Sequence, residues 1–130
     1  MNSSAMTIFV LMSVALKLAA EPQCDPGPLS EDPLYNTLVA SILLWLQTHT
    51  PVFAGHNSGF SSSVNSIGVA GRATCSAIAQ QECFACLAVA VNEIKAKCSN
   101  SVGASLDANY SKSARVDGQY CSISYEPAQV

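Results

Sequence analysis

Six cysteines, Cys24, Cys75, Cys83, Cys86, Cys98 and Cys121, are the residues of this chain with the most chemistry open to them. As free thiols, Cys83 and Cys86 have the C-x2-C spacing of a zinc half-site or a redox pair. As an even set in an oxidising compartment, the six form three disulfides, each contributing about 2–4 kcal/mol by restricting the unfolded chain. Spacing alone does not choose among the possible pairings. The other candidates for chemistry, His49 and His56, flank Pro51 without any accompanying serine or carboxylate motif. No catalytic constellation forms around them, so they are expected at the surface, and the chain is expected to be non-catalytic and to use neither cofactor nor metal.

The compartment decides between thiols and disulfides. Residues 5–20, AMTIFVLMSVALKLAA, are apolar except for Thr7, Ser13 and Lys17, and end in small residues ahead of the polar Glu21-Pro22-Gln23-Cys24. This is the outline of a secretory signal peptide, with cleavage expected after Ala20 or, failing that, Ala15. As a membrane anchor the run is too short and carries Lys17, and LVASILLWL is shorter still. The remaining 110 residues, 21–130, hold all six cysteines and five basic residues against nine acidic ones, a net of -4. A secreted, extracellular location then makes disulfides the expected state. Acidity also argues against nucleic acid, since Arg72, Lys95, Lys97, Lys112 and Arg115 are the only basic residues beyond residue 20 and make no basic surface. At 130 residues the chain is one domain, too short for a barrel or a dinucleotide fold with a substrate domain.

Periodicity gives the elements that must position these residues. In SEDPLYNTLVASILLWLQTH, Ser30 is the expected N-cap, with Glu31, Asp32 and Pro33 in the first turn. Leu34, Leu38, Val39, Ile42, Trp45 and Leu46 then make one apolar face of a helix ending near Thr50-Pro51. Residues 55–68, rich in glycine, serine and asparagine, read as a loop holding at most a short edge strand, with little core. QQECFACLAVAVNEIKAKC reads as a second helix, with Cys83, Cys86, Leu87, Ala90, Val91 and Ile94 on one side and Glu93 and Lys97 on another. Cys83 and Cys86 share a face three residues apart, so they point toward different covalent partners. YCSISYE alternates, placing Cys121, Ile123 and Tyr125 on a core face and Tyr120, Ser122, Ser124 and Glu126 on the other. Residues 113–116, SARV, are its expected partner strand, turning at Asp117-Gly118. Helices and antiparallel strands segregated in this way predict an α+β domain.

The order GRATC, then CFACL, then Cys98, then CSISYE closely resembles the ginkbilobin-like domain of land plants, also called the cysteine-rich secretory repeat or stress-antifungal domain. The family hallmark is C-x8-C-x2-C; Cys75, Cys83 and Cys86 give C-x7-C-x2-C, one residue short. The resemblance spans about residues 24–126, essentially all of the chain beyond the signal peptide. It implies two helices packed on a five-stranded antiparallel sheet, with disulfides Cys24–Cys98, Cys75–Cys83 and Cys86–Cys121. Single-domain members are secreted antifungal lectins that bind mannose, whereas paired domains form the outside of cysteine-rich receptor kinases and plasmodesmata-located proteins.

In the lectins, mannose is held by an asparagine after the first cysteine, an arginine before the last and a glutamate five residues beyond it. The resemblance places Asp25, Arg115 and Glu126 in those roles. Counting back from Cys121, SARVDGQYC matches the family strand and retains Arg115; counting forward from Cys98, the arginine position falls instead on Ser105 of Gly103-Ala104-Ser105. The first register is preferred, and it implies about ten inserted residues, GASLDANYSK, in the loop before the strand. An arginine fork donates to sugar hydroxyls and a carboxylate accepts from them. Asp25 accepts but cannot donate as an asparagine does, and adds like charge beside Glu126, so sugar binding is expected to be weak or altered. The plainer role for Arg115 and Glu126 is an exposed cross-strand ion pair at a sheet edge. Asn109-Tyr110-Ser111 is a glycosylation sequon in the expected insertion. Two functions follow: a mannose-binding antifungal defence protein of the apoplast, or an extracellular module that meets another protein domain and has lost the sugar.

Overall fold

Asp32 sets the start of the first helix, α1 (Pro33–His49), its side chain accepting from the backbone N–H of Leu34 at 2.8 Å and of Tyr35 at 3.4 Å. The N-cap is therefore Asp32 rather than Ser30, because Pro33, which has no N–H to satisfy, belongs at the first helical position. The computed structural model describes residues 21–27, 31–99, 101–109 and 119–128; the segment expected to be a signal peptide, the 113–116 segment and Arg115 lie outside them. α1 ends at Thr50, where a short 3-10 turn, Thr50–Val52, leads into the sheet. The buried Thr50 hydroxyl is 2.6 Å from that of Ser58, tying the helix end to the first long strand.

Five strands form one antiparallel sheet: β1 (Gln23–Asp25), β2 (Asn57–Val64), β3 (Ile67–Ser76), β4 (Gly103–Asn109) and β5 (Tyr120–Pro127), in the order β1-β4-β5-β3-β2. The second helix, α2 (Gln80–Lys97), joins α1 on one face. The core lies between the layers, where Tyr35, Ile42, Leu43 and Leu46 of α1 and Leu87, Val91 and Ile94 of α2 meet Val69, Ala73, Leu106 and Ile123 of the sheet. This is the α+β architecture expected from the sequence, with two helices on a five-stranded antiparallel sheet.

The three disulfides are Cys24–Cys98, Cys75–Cys83 and Cys86–Cys121, as the resemblance implies, and no cysteine is free. Their geometry explains the C-x2-C spacing. Cys75 on β3 and Cys121 on β5 face one another across the ladder. Neighbouring strands are about 4.8 Å apart, and three residues of helix rise about 4.5 Å, so Cys83 and Cys86 match the step between the two strands. Cys98, at the end of α2, then reaches β1 beyond β4. One helix is thus bonded to β3, β5 and β1 in the order in which they stand in the sheet.

Two strands depart from the sequence reading. Residues 57–64, expected in a loop, form an eight-residue strand paired with β3 along its whole length. The turn that closes this hairpin is Asn65-Ser66, both with positive φ (53° and 68°), the geometry that Asn-Gly usually supplies. Residues 103–109, expected as an insertion, are β4, with Ala104, Leu106 and Ala108 buried and Ser105 and Asp107 facing away from the core. From Tyr120 to Tyr125 the ladder partners of β5 are β3 and β4; the expected partner, residues 113–116, lies outside the described residues. A period-2 alternation, Ala104, Leu106 and Ala108, is what buries β4.

Candidate functional site

The sheet face opposite the helices is built from the outward set of each strand. It carries Gln23 and Asp25 from β1, Ser105 and Asp107 from β4, Ser122, Ser124 and Glu126 from β5, Ala70, Arg72 and Thr74 from β3, and Asn57, Gly59 and Ser61 from β2. Small hydroxyl and amide side chains dominate, and Arg72 is its only cation among the described residues. A hollow of about 570 Å³ opens on this face between β2, β3 and β5, lined by Phe60, Ser61, Arg72, Ser124 and Glu126. A second, of about 180 Å³, lies on the other side of Arg72, against Asn57, Thr74 and Ser122. Arg72 borders both.

Register sets the relation between the expected site residues. Glu126 faces Ala70, and Arg72 faces Ser124, so Arg72 and Glu126 stand diagonally across adjacent strands, within reach of long side chains. Asp25 faces Gly103 on β4, and Ala104 next to it faces Tyr125, so Asp25 and Glu126 fall in one row, about 10 Å apart across two strand spacings. A Cβ on Gly103 would come within 3.1 Å of the Asp25 Oδ2, so the glycine leaves room for that carboxylate to lie over β4 on the Glu126 side. Asp25 and Glu126 are both exposed, as is Arg72. Ser105, on which the count forward from Cys98 falls, is paired with Ser124. Asn109 is the last residue of β4, opposite Tyr120, rather than a loop residue.

Arg72 lies within GRATC, where no motif marks it for a role. Its signal is the alternation of IGVAGRATC, which sends Val69, Gly71, Ala73 and Cys75 inward and Arg72 outward. Nearness to Glu126 depends in addition on the β3–β5 register. His49 is half-buried, its ring stacked on Trp45 with centroids 4.3 Å apart, and Cys83 and Cys86, bonded to separate strands, form neither a dithiol nor a metal half-site.

Two core tyrosines support the end of the sheet where Asp25 and Glu126 stand. The Tyr35 hydroxyl donates to the Val102 carbonyl and the Tyr125 hydroxyl to that of Ser101, at 3.1 Å, fixing the approach to β4. Burial pushes the Tyr35 phenol up to about 12, reinforced by Tyr125 and the Glu126 charge; burial, then the Asp25 charge, also raises Tyr125. A phenol whose folded pKa lies above its unfolded value of 10.0 contributes stability that is complete below that value and disappears as pH rises through about 12. Stability is therefore expected to fall between these limits. In denaturant melts across this range, Tyr35→Phe, though less stable at neutral pH for want of a donor to Val102, shows a shallower alkaline loss. An equally steep loss would assign it to other groups.

No family model and no curated protein sequence matches the chain. Among solved structures, it is similar to the tandem DUF26 ectodomain of the Arabidopsis thaliana cysteine-rich receptor-like protein PDLP5, with a TM-score of 0.64 and 23% identity over 85% of this chain and 50% of that one. It is likewise similar to the tandem DUF26 ectodomain of PDLP8 from the same plant, with a TM-score of 0.65 and 21% identity over 85% and 48%. The chain spans about half the length of each. With two helices on a five-stranded sheet and three disulfides, the chain has the fold of a DUF26, or ginkbilobin-like, ectodomain unit.

Proposed function

We propose that this is a secreted, non-catalytic, carbohydrate-binding defence protein that takes mannose-type glycans of fungal walls and restrains growth by binding alone. The observation that carries the reading is the polar hollow on the helix-free sheet face, where Glu126 and Arg72 stand diagonally and Ser61 and Ser124 complete the lining. An exposed carboxylate accepts from paired sugar hydroxyls, a guanidinium donates to them, and serine hydroxyls do either. Three disulfides and the likeness to ectodomains support an extracellular location, reached through the signal peptide at residues 1–20. Arg115 is a second donor to the same sugar, and the Asn109 sequon is the acceptor for a glycan.

The test is titration of the secreted, disulfide-bonded protein with mannose and yeast mannan. Losing one charge-assisted hydrogen bond of roughly 1.5–3 kcal/mol weakens binding at least about tenfold, which is the expected result for Arg72→Ala and for Glu126→Ala. Asp25→Asn strengthens binding by restoring a donor and removing like charge. Arg115→Ala separates the family arginine from Arg72 as the donor. Absence of saturable binding in correctly bonded protein overturns the reading in favour of an extracellular module that meets another protein domain. Ser105, where the family arginine falls when counted forward from Cys98, favours that second reading.

A further inference from the structure

We propose that β2 is a self-association edge, through which two copies of this chain pair β2 to β2, antiparallel, and join their sheets into one with all four helices on the same side. β2 is the terminal strand of the sheet, and its outer N–H and C=O groups meet no partner among the described residues. Eight residues give an edge about 26 Å long, whereas the opposite edge, β1, is three residues. Proteins ordinarily protect such an edge with lysine, proline or a bulge. β2, NSGFSSSV, has no charge and no proline, and its register with β3 runs from Asn57 to Val64 without a skipped residue.

Charge and side chains identify a second copy as the occupant. The chain is net acidic, yet from Pro33 to Gln81 it holds a single Asp, Glu, Lys or Arg residue, Arg72, so this edge meets its own image without repulsion. An antiparallel pair about a twofold axis is self-complementary. With both helical layers on one side, each residue must face one of the same parity, so the axis passes at Phe60 or at Ser61. Phe60, 38% exposed, is stacked on Trp45 with centroids 4.5 Å apart, and Trp45 is met edge-on by the exposed Phe53. Val64, also exposed, extends this apolar rim along the strand. Pairing covers Phe60 with its own copy beside the axis, burying aromatic surface where the backbone bonds form.

The proposal does not depend on sugar binding and is tested on the chain as secreted from a eukaryotic host, by light scattering and sedimentation over a concentration series. A reversible dimer is expected, in which the outer β2 amides, those not bonded to β3, exchange slowly only at concentrations where it forms. Ser61→Lys sets like charges opposite or diagonal to one another at the axis and raises the dissociation constant at least about tenfold, whereas Ser61→Thr leaves the dimer intact. Because Ser61 is exposed, both variants keep the near-ultraviolet circular dichroism of the parent. The proposal is overturned by a monomer at every concentration, or by a dimer indifferent to Ser61→Lys. It is overturned equally if the outer β2 amides, those not bonded to β3, are protected in the monomer, which would mean that the chain covers this edge with a segment of its own.

Discussion

Replacing Cys86 and Cys121 together by alanine is expected to lower stability by about 4–5 kcal/mol, moving the urea midpoint far enough to leave much of the protein unfolded at body temperature. The bond closes 35 residues, for which loop-closure entropy gives about 3.8 kcal/mol. Both cysteines are buried, so loss of two sulfurs also leaves a void in the core layer. The same relation gives about 4.4 kcal/mol for Cys24–Cys98, which closes 74 residues, and about 2.5 kcal/mol for Cys75–Cys83, which closes 8. Cys98 is buried but Cys24 is exposed, so that pair leaves a smaller void, whereas Cys75 and Cys83 are both buried and leave one like that of Cys86 and Cys121. Alanine pairs are therefore expected to rank with Cys75–Cys83 the mildest and the two long-range bonds above it. A domain of this size has a net stability of only about 5–15 kcal/mol, so either long-range loss removes a large share of it. Equal effects at all three pairs would mean that the covalent steps across β3, β5 and β1 do not hold the layers together.

Those bonds also show why some of the fold is legible in the residues and some is not. α1, α2 and β5 each bury one continuous face of large apolar side chains, and a period of 3.6 or 2 survives in the sequence. β2 lacks that signal because it is an edge whose residues are mostly exposed on both faces, and its turn uses Asn65-Ser66 in place of a glycine. β4 does alternate, but with Ala104 and Ala108 as two of its three inward residues the pattern is shallow. The cap moved from Ser30 to Asp32 because three cap-forming or acidic residues precede the proline and only one adjoins it. Of the candidate site, Asp25 and Glu126 follow from the family resemblance, which places them by their chain distance from Cys24 and Cys121. Arg72 does not, since its place beside Glu126 follows from strand pairing rather than from chain distance.

The same pairing brings α1 down onto β3 at one point, and Gly71→Ala is expected to destabilise the fold there by about 2–3 kcal/mol. A Cβ at Gly71 would lie 2.7 Å from the Ile42 Cγ2, 3.0 Å from the Leu46 Cδ1 and 3.1 Å from the Ser124 carbonyl oxygen. In an unobstructed strand, alanine is more favourable than glycine by roughly 0.5–1 kcal/mol, so the expected loss has the opposite sign to the backbone preference. Ile42 and Leu46 are fully buried, and Ser124 Cα is fixed by ladders on both sides, so neither the helix nor the strand gives way without cost. Phe60 stands opposite Gly71 on β2, and a shift of β3 would therefore also disturb its stack on Trp45. The contact with Ile42 is separable from the rest by a double-mutant cycle. Ile42→Ala alone leaves a cavity, yet Gly71→Ala combined with Ile42→Ala fills part of it, so the pair is expected to lose less than the sum of the two single changes, by about 1 kcal/mol or more. Strict additivity in urea melts would place the strain at the Ser124 carbonyl instead, between β3 and β5, and would make the strand spacing rather than the helix the limit on residue 71.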